Sequence, residues 1–287
     1  MTDQTFTLDA PGATITYDVH GDLHSGTPLL LIGSPMDASG FAALAAAFPD
    51  RPVVTYDPRG TARSPRTDDA DETRPAEHAD DLSRVIEALA AGQVDVFASS
   101  GGAVNGLALV EGRPELVRTL VAHEPPLAAF LPDGPIMLAT ADAIRRIYHE
   151  AGPGPAMGKF MEYTMLQGEI PADYPDRPAP DAADFGMPMT DDGTRNDPLL
   201  SQNIRTCGAH RPDLDRLREA PTRLVIGVGD ESGDAIAARG GRSLAKALDL
   251  DVTAFPSHHA GFVPQEWGMG SQPQAFAARL REVLDEA

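Results

Sequence analysis

A serine becomes a useful nucleophile only when a base takes its proton and a third group holds that base in place. Residues of all three kinds stand at turn-like positions in this chain. The stretch Val94-Asp95-Val96-Phe97-Ala98-Ser99-Ser100-Gly101-Gly102-Ala103-Val104 passes from a β-rich run through small residues into a helical pattern. A serine on such a bend needs small neighbours two positions to either side, because the backbone closes tightly there. Ser100 satisfies that with Ala98 and Gly102, whereas Ser99 would place Phe97 at a crowded flank. Ser100 is therefore the candidate nucleophile, at the N-terminus of a helix where developing negative charge is favoured. An ordinary glycine-rich, phosphate-binding turn is the competing reading of the same residues.

The candidate base lies far along the chain. His258 and His259 follow the last β-rich run, and the small Ala260-Gly261 after them lets His259 approach closely; His258 is the fallback. Asp230 stands two residues past the run Arg223–Val228 and is the first choice for the carboxylate that orients the base. Glu231 exchanges with it under a one-residue register error, and Glu124, after the run Val117–Ala122, is a third candidate. The order Ser100, Asp230, His259 matches one particular serine-hydrolase architecture.

These groups can meet only if strand ends share an edge. Thr5–Leu8 and Ala13–His20 read as a hairpin, followed by strands at 28–32, 53–56, 94–98, 117–122, 223–228 and 251–255. The later runs are nearly all apolar, as strands buried on both faces tend to be. Helical patterns at 41–48, 77–90, 102–111, 234–248 and 274–284 alternate with them, which predicts an α/β chain with an open, mostly parallel, doubly wound sheet. Between Pro125 and Leu217 no strand pattern appears; helical stretches at 139–151 and 159–166 alternate with proline-rich, acidic segments. The expected organisation is a core of residues 1–124 and 216–287 with an inserted helical cap at 125–215.

The chain has 287 residues, 42% of them apolar, with 23 Lys+Arg against 43 Asp+Glu and a net charge of −20. That balance argues against nucleic acid and against an anionic membrane as partners. No apolar run is long enough to span a bilayer, and the first residues lack a secretory pattern. A single cysteine, Cys207, excludes an internal disulfide and a cysteine-rich metal site. The expected location is the cytoplasm, the expected partner a small-molecule substrate, and a homodimer is left open. The scattered histidines show no metal-ligand spacing.

With these residues in place, the sequence resembles the α/β-hydrolase fold superfamily over nearly the whole chain outside the cap. The family's His-Gly-x-Pro loop corresponds to Ile32-Gly33-Ser34-Pro35, with Ile32 in place of histidine. Its Asp-x-Arg-Gly-x-Gly-x-Ser turn corresponds to Asp57-Pro58-Arg59-Gly60-Thr61-Ala62-Arg63-Ser64, with Ala62 replacing the second glycine. The resemblance implies an oxyanion hole from the N–H groups of Ser34 and Gly101, a structural role for Arg59, and no metal or organic cofactor. It implies an ester, lactone or thioester hydrolase working through an acyl-enzyme. The alternative is a non-hydrolytic protein of the same fold, either a lyase or perhydrolase or a ligand-binding protein without useful turnover. Serine at 100 speaks against the aspartate-dependent dehalogenases and epoxide hydrolases. Met36, Met161 and Met165 are the candidate substrate-binding side chains, since methionine conforms to irregular apolar pockets.

Overall fold

A computed structural model describes residues 3–286. Gly12, at φ +76°, turns strand β1 (Asp3–Ala10) back onto β2 (Ala13–His20), and the two pair antiparallel in full register. The remaining strands are β3 (Leu29–Ile32), β4 (Val53–Tyr56), β5 (Val94–Ser99), β6 (Val117–His123), β7 (Arg223–Gly229) and β8 (Val252–Phe255). They complete one eight-stranded sheet of order β1-β2-β4-β3-β5-β6-β7-β8, parallel from β4 to β8. The fold class expected from the strand–helix alternation is the one observed, and every strand lies within two residues of its predicted bounds.

The helices are α1 (Ala42–Ala46), α2 (Pro75–Leu89), α3 (Gly101–Gly112), α4 (Gly134–Ala151), α5 (Pro153–Met165), α6 (Ile204–Ala209), α7 (Leu214–Glu219), α8 (Ile236–Leu248) and α9 (Pro273–Asp285). Residues of α2, α3 and α8 share one buried cluster with Leu30, Val54, Val96, Leu120 and Ile226 of the sheet. Residues of α1 and α9 share the other with Leu29, Leu31, Phe97, Val121 and Phe255. Alternate residues of one strand thus serve opposite faces, which is why these strands are apolar at most positions. No helix among the described residues is long and apolar enough to cross a membrane.

The chain between β6 and β7 is helical and builds a third cluster of its own around Ile144, Tyr148, Ala156, Tyr163 and Tyr174. Lys159 is fully buried there, its ammonium over the Tyr174 ring at 3.9 Å and donating to the carbonyls of Tyr174 and Arg177 at 2.9 and 3.0 Å. Arg239 of α8 ties this insertion to the core through both carboxylate oxygens of Asp133. On the other side His78 of α2 bonds Asn203 at 2.8 Å, at the end of a π-helical turn, Pro198–Asn203, that leads into α6. A parallel sheet brings the loops after β3, β5, β6, β7 and β8 to one edge.

Candidate active site

At that edge Ser100 links β5 to α3 with φ +57° and ψ −124°, a left-handed conformation that costs a non-glycine residue free energy. The surroundings hold it there. Its N–H donates to the His123 carbonyl at 3.0 Å, and its carbonyl accepts from Ala103 and Val104. The glycines that follow are required by space. A side chain at Gly101 would begin 2.6 Å from the Ser34 carbonyl oxygen, and one at Gly102 would begin 2.4 Å from that of Ile32. The helix therefore starts against the backbone of the loop after β3, and only glycine permits that approach.

This loop is itself anchored. Asp57, at the end of β4, accepts from the Ala38 N–H at 3.0 Å and from the Arg63 guanidinium at 2.6 Å, while Asp37 caps Ser39 at 2.9 Å. Among the described residues no hydrogen bond uses the N–H of Ser34 or of Gly101. Two donors are thus left for a ligand beside Ser100. Arg59 is buried, bound to both oxygens of Asp81 at 2.7 Å and to the Pro11 carbonyl at 3.2 Å, so it pins α2 and the first hairpin rather than touching the site.

His259 follows β8 on a loop that crosses β7, where Gly229 has the Ser257 carbonyl 2.6 Å from its missing side chain. Its ring is 40% exposed, and Nδ1 lies 2.6 Å from Glu124 Oε2. Nδ1 is the donor to that carboxylate, which leaves the Nε2 lone pair free to accept a proton. Asp230, the first choice from sequence, does not orient the histidine. It is exposed, its N–H donates to the Phe255 carbonyl, and its carboxylate makes no hydrogen bond among the described residues. Glu231 is also exposed; its N–H donates to the Ser257 carbonyl, and among the described residues its carboxylate accepts only from the Gln272 amide, at 3.5 Å. The physical reason is reach: Glu124 follows β6, with φ +50°, and is fully buried beneath the histidine loop. The Gly229 N–H at 2.9 Å holds Oε1 and leaves Oε2 for His259. Burial alone raises the Glu124 carboxyl, but the hydrogen bond and charge of His259 outweigh it and bring it down to about 2. His258 turns away, bonding the Met269 carbonyl through Nε2 at 2.7 Å and accepting from Ala260 on Nδ1.

Nucleophile and base are hung from one turn, since Ser100 is held by the carbonyl of His123 and His259 by the side chain of Glu124. The Ser100 hydroxyl makes no hydrogen bond among the described residues. In ligand-free sites that bond is often long and tightens when substrate fills the space. His123 is a residue the sequence reading passed over. It is fully buried among Phe97, Phe255, Phe262 and Phe276, its ring 6.1 Å from that of His259 and inclined by 28°. Burial lowers it to about 4, against the opposing charge of Glu124. Its signal in the sequence is a histidine that follows the apolar run Leu120-Val121-Ala122 and stands directly before an acid.

The insertion covers the nucleophile turn through α6, whose Cys207 Sγ lies 3.4 Å from the point where a Gly101 side chain would begin. Burial pushes the Cys207 thiol up to about 12, so it is an apolar neighbour rather than a thiolate. The three candidate methionines differ in their surroundings. Met165 is 66% exposed at the end of α5, too far into solvent to line an enclosed pocket. Met36 folds back on its own loop, with Sδ 2.4 Å from where a Gly40 side chain would start, and Met161 is half-buried on α5. A cleft of about 650 Å³ lined by Asp18, His20, Asp57 and Arg63 opens at the β2–β4 edge and includes neither Ser100 nor His259.

Comparisons with known proteins agree with this architecture. Residues 27–156 match the family described as alpha/beta hydrolase fold. An uncharacterized hydrolase of Bacillus subtilis (strain 168), YraK, is 26% identical over 100% of this chain and 98% of its own. Among solved structures, a thermophilic esterase from Thermogutta terrifontis superposes with a TM-score of 0.67 at 19% identity, covering 99% of this chain and 98% of that one. A structure from a study of carboxylesterases of the Thaumarchaeon Nitrososphaera gargenis gives 0.63 at 15% identity, covering 98% and 100%.

Proposed function

Because this chain belongs to the α/β-hydrolase fold superfamily, we propose that it is a serine hydrolase of small-molecule esters, lactones or thioesters, acting through Ser100, His259 and Glu124. The observation that carries this reading is the 2.6 Å bond from His259 Nδ1 to a buried carboxylate whose neighbouring carbonyl anchors the strained Ser100. Ser100 Oγ attacks the substrate carbonyl carbon as His259 Nε2 takes its proton, and Glu124 stabilises the imidazolium that results. The oxyanion is received by the unpaired N–H groups of Ser34 and Gly101, a contribution that typically costs about 100- to 1,000-fold in rate when one donor is lost. His259 then returns the proton to the leaving group, and water cleaves the acyl-enzyme with His259 again as base. The names of the similar proteins, an esterase and a study of carboxylesterases among them, support an ester-type substrate.

The test is labelling with a fluorophosphonate probe together with turnover of p-nitrophenyl esters. Wild-type protein labels at Ser100 and hydrolyses the esters; Ser100→Ala loses both, and His259→Ala loses turnover. Labelling that persists in Ser100→Ala, or no labelling of the wild type, overturns the reading.

A further inference from the structure

Glu124 and His259 are accounted for by the relay above, yet a third donor stands with them. One ligand atom each from His123, Glu124 and His259 lies within 4.8 Å of the other two. His123 is fully buried, its Nδ1 faces Ser99 Oγ at 3.3 Å, and its Nε2 has no hydrogen-bond partner among the described residues. Buried polar atoms are rarely left so, and the acyl-transfer reading uses neither nitrogen of this ring. Two imidazoles and one carboxylate make a donor set suited to a borderline cation such as Zn²⁺, and poorly suited to Mg²⁺ or Ca²⁺, which prefer all-oxygen shells.

We propose that His123, Glu124 and His259 form a binding site for a zinc-class divalent cation, and that its occupation switches the enzyme off. Bonds of about 2.0–2.1 Å to a tetrahedral ion put ligand atoms roughly 3.3–3.5 Å apart, so the donors must draw together. His123 is fixed by its four phenylalanines. The partly exposed His259 ring has room to shift and gives the ion its way in from solvent. Glu124 keeps the Gly229 N–H on Oε1 and turns Oε2 from the histidine to the metal. A water fills the fourth position.

The inhibitory consequence, which rests on the function proposed above, follows from one proton. Without metal, the neutral His259 carries its proton on Nδ1 and offers the Nε2 lone pair. The metal takes the Nδ1 lone pair, and the proton moves to Nε2. The ring then presents a donor to the serine and has no lone pair left with which to accept the hydroxyl proton. Three bonds from the ion to the protein replace bonds to its hydration water, one water stays in the fourth position, the hydrogen bond from His259 to Glu124 breaks, and no electron is transferred.

The test titrates the full-length chain with Co²⁺, whose visible absorption distinguishes tetrahedral nitrogen–oxygen sites from octahedral all-oxygen ones, and with Zn²⁺ by calorimetry. Neither readout needs catalysis, so each stands even if the hydrolase reading fails. The expected result is one equivalent bound with a tetrahedral cobalt spectrum, and affinity at least tenfold weaker in His123→Phe, which keeps the aromatic packing and removes the donor. In the ester assay Zn²⁺ abolishes wild-type turnover, EDTA restores it, and His123→Phe stays active in zinc. The wild-type spectrum alone decides the matter if that variant does not fold. An octahedral spectrum, no saturable binding, or equal affinity in wild type and a folded His123→Phe overturns the proposal.

Discussion

Glu124 holds His259 from the end of β6, one strand nearer the nucleophile than Asp230 at the end of β7. The two acids exchange roles relative to the spacing argument, and mutation separates them. Glu124→Gln replaces an acceptor by a group that can stabilise the wrong imidazole tautomer and cannot balance the imidazolium. We expect kcat to fall about 10²- to 10⁴-fold with the fold retained, whereas Asp230→Asn leaves kcat essentially unchanged. Steady-state ester hydrolysis with circular dichroism on both variants checks this; a large loss in Asp230→Asn with none in Glu124→Gln sinks the assignment.

The closeness of α3 to the loop after β3 makes a second prediction. Gly101→Ala pushes a methyl against the Ser34 carbonyl and Gly102→Ala against that of Ile32. Ile32 is a paired residue of β3, so the second variant meets backbone that cannot yield and costs about 1–3 kcal/mol of stability, as overpacking does. Ser34 lies on a loop, which moves instead and carries its N–H away from the oxyanion. Gly101→Ala should therefore lose on the order of 100-fold in kcat/KM with a smaller change in urea stability. Equal catalytic losses in the two variants would show that the loop is not coupled to the reaction.

The strands were readable in sequence because their signals are local. Leu29–Ile32 is an unbroken apolar run, Val53–Tyr56 is interrupted by Thr55 alone, and Pro11-Gly12 marks the hairpin. The candidate nucleophile turn was readable because small residues flank Ser100 in the sequence itself, although the crowding that demands Gly101 and Gly102 comes from Ile32 and Ser34, far away along the chain. The choice of carboxylate was not. Asp230, Glu231 and Glu124 all sit just beyond a strand, and local spacing favours Asp230; the outcome depends on the sheet order and on the Gly229 N–H that orients Glu124. The commitment of His258 to the Met269 carbonyl, the outward position of Met165 and the packing of Cys207 near Gly101 are likewise long-range facts. The left-handed Ala62, at φ +44°, was visible as a departure from glycine, though not the conformation it is forced to keep.

Acid should destabilise the protein well before its carboxylates titrate. His78 and His123 are both buried, and burial lowers each to about 4 from the ordinary 6.5. The unfolded chain then binds protons that the folded chain refuses, so stability is full above pH 6.5 and is lost as pH falls toward 4. Between pH 7 and pH 5 the loss is about 2 kcal/mol for each histidine. Urea unfolding at the two pH values measures it, and His123→Phe should show a smaller difference than wild type. Glu124 acts in a lower window: its carboxyl is depressed to about 2, so its stabilisation is present above its ordinary value near 4.5 and disappears as pH drops through 2. A stability that stays flat from pH 7 to 5 rules out neutral buried histidines.

Arg59 and Asp81 form a fully buried, doubly hydrogen-bonded pair between the loop after β4 and α2. Desolvating two charges cancels much of their attraction, but removing one partner strands the other in the interior. Arg59→Met and Asp81→Leu singly should each cost about 3–5 kcal/mol. The double variant replaces the pair by apolar groups and should recover most of that loss, because no unpaired charge remains. Asp57, which anchors the oxyanion loop at Ala38, keeps its partner Arg63 throughout. The double variant should therefore hydrolyse esters with kcat close to wild type. Urea denaturation of the three variants provides the double-mutant cycle; additive losses in the double variant would mean that Arg59 is bound by something other than its buried partner.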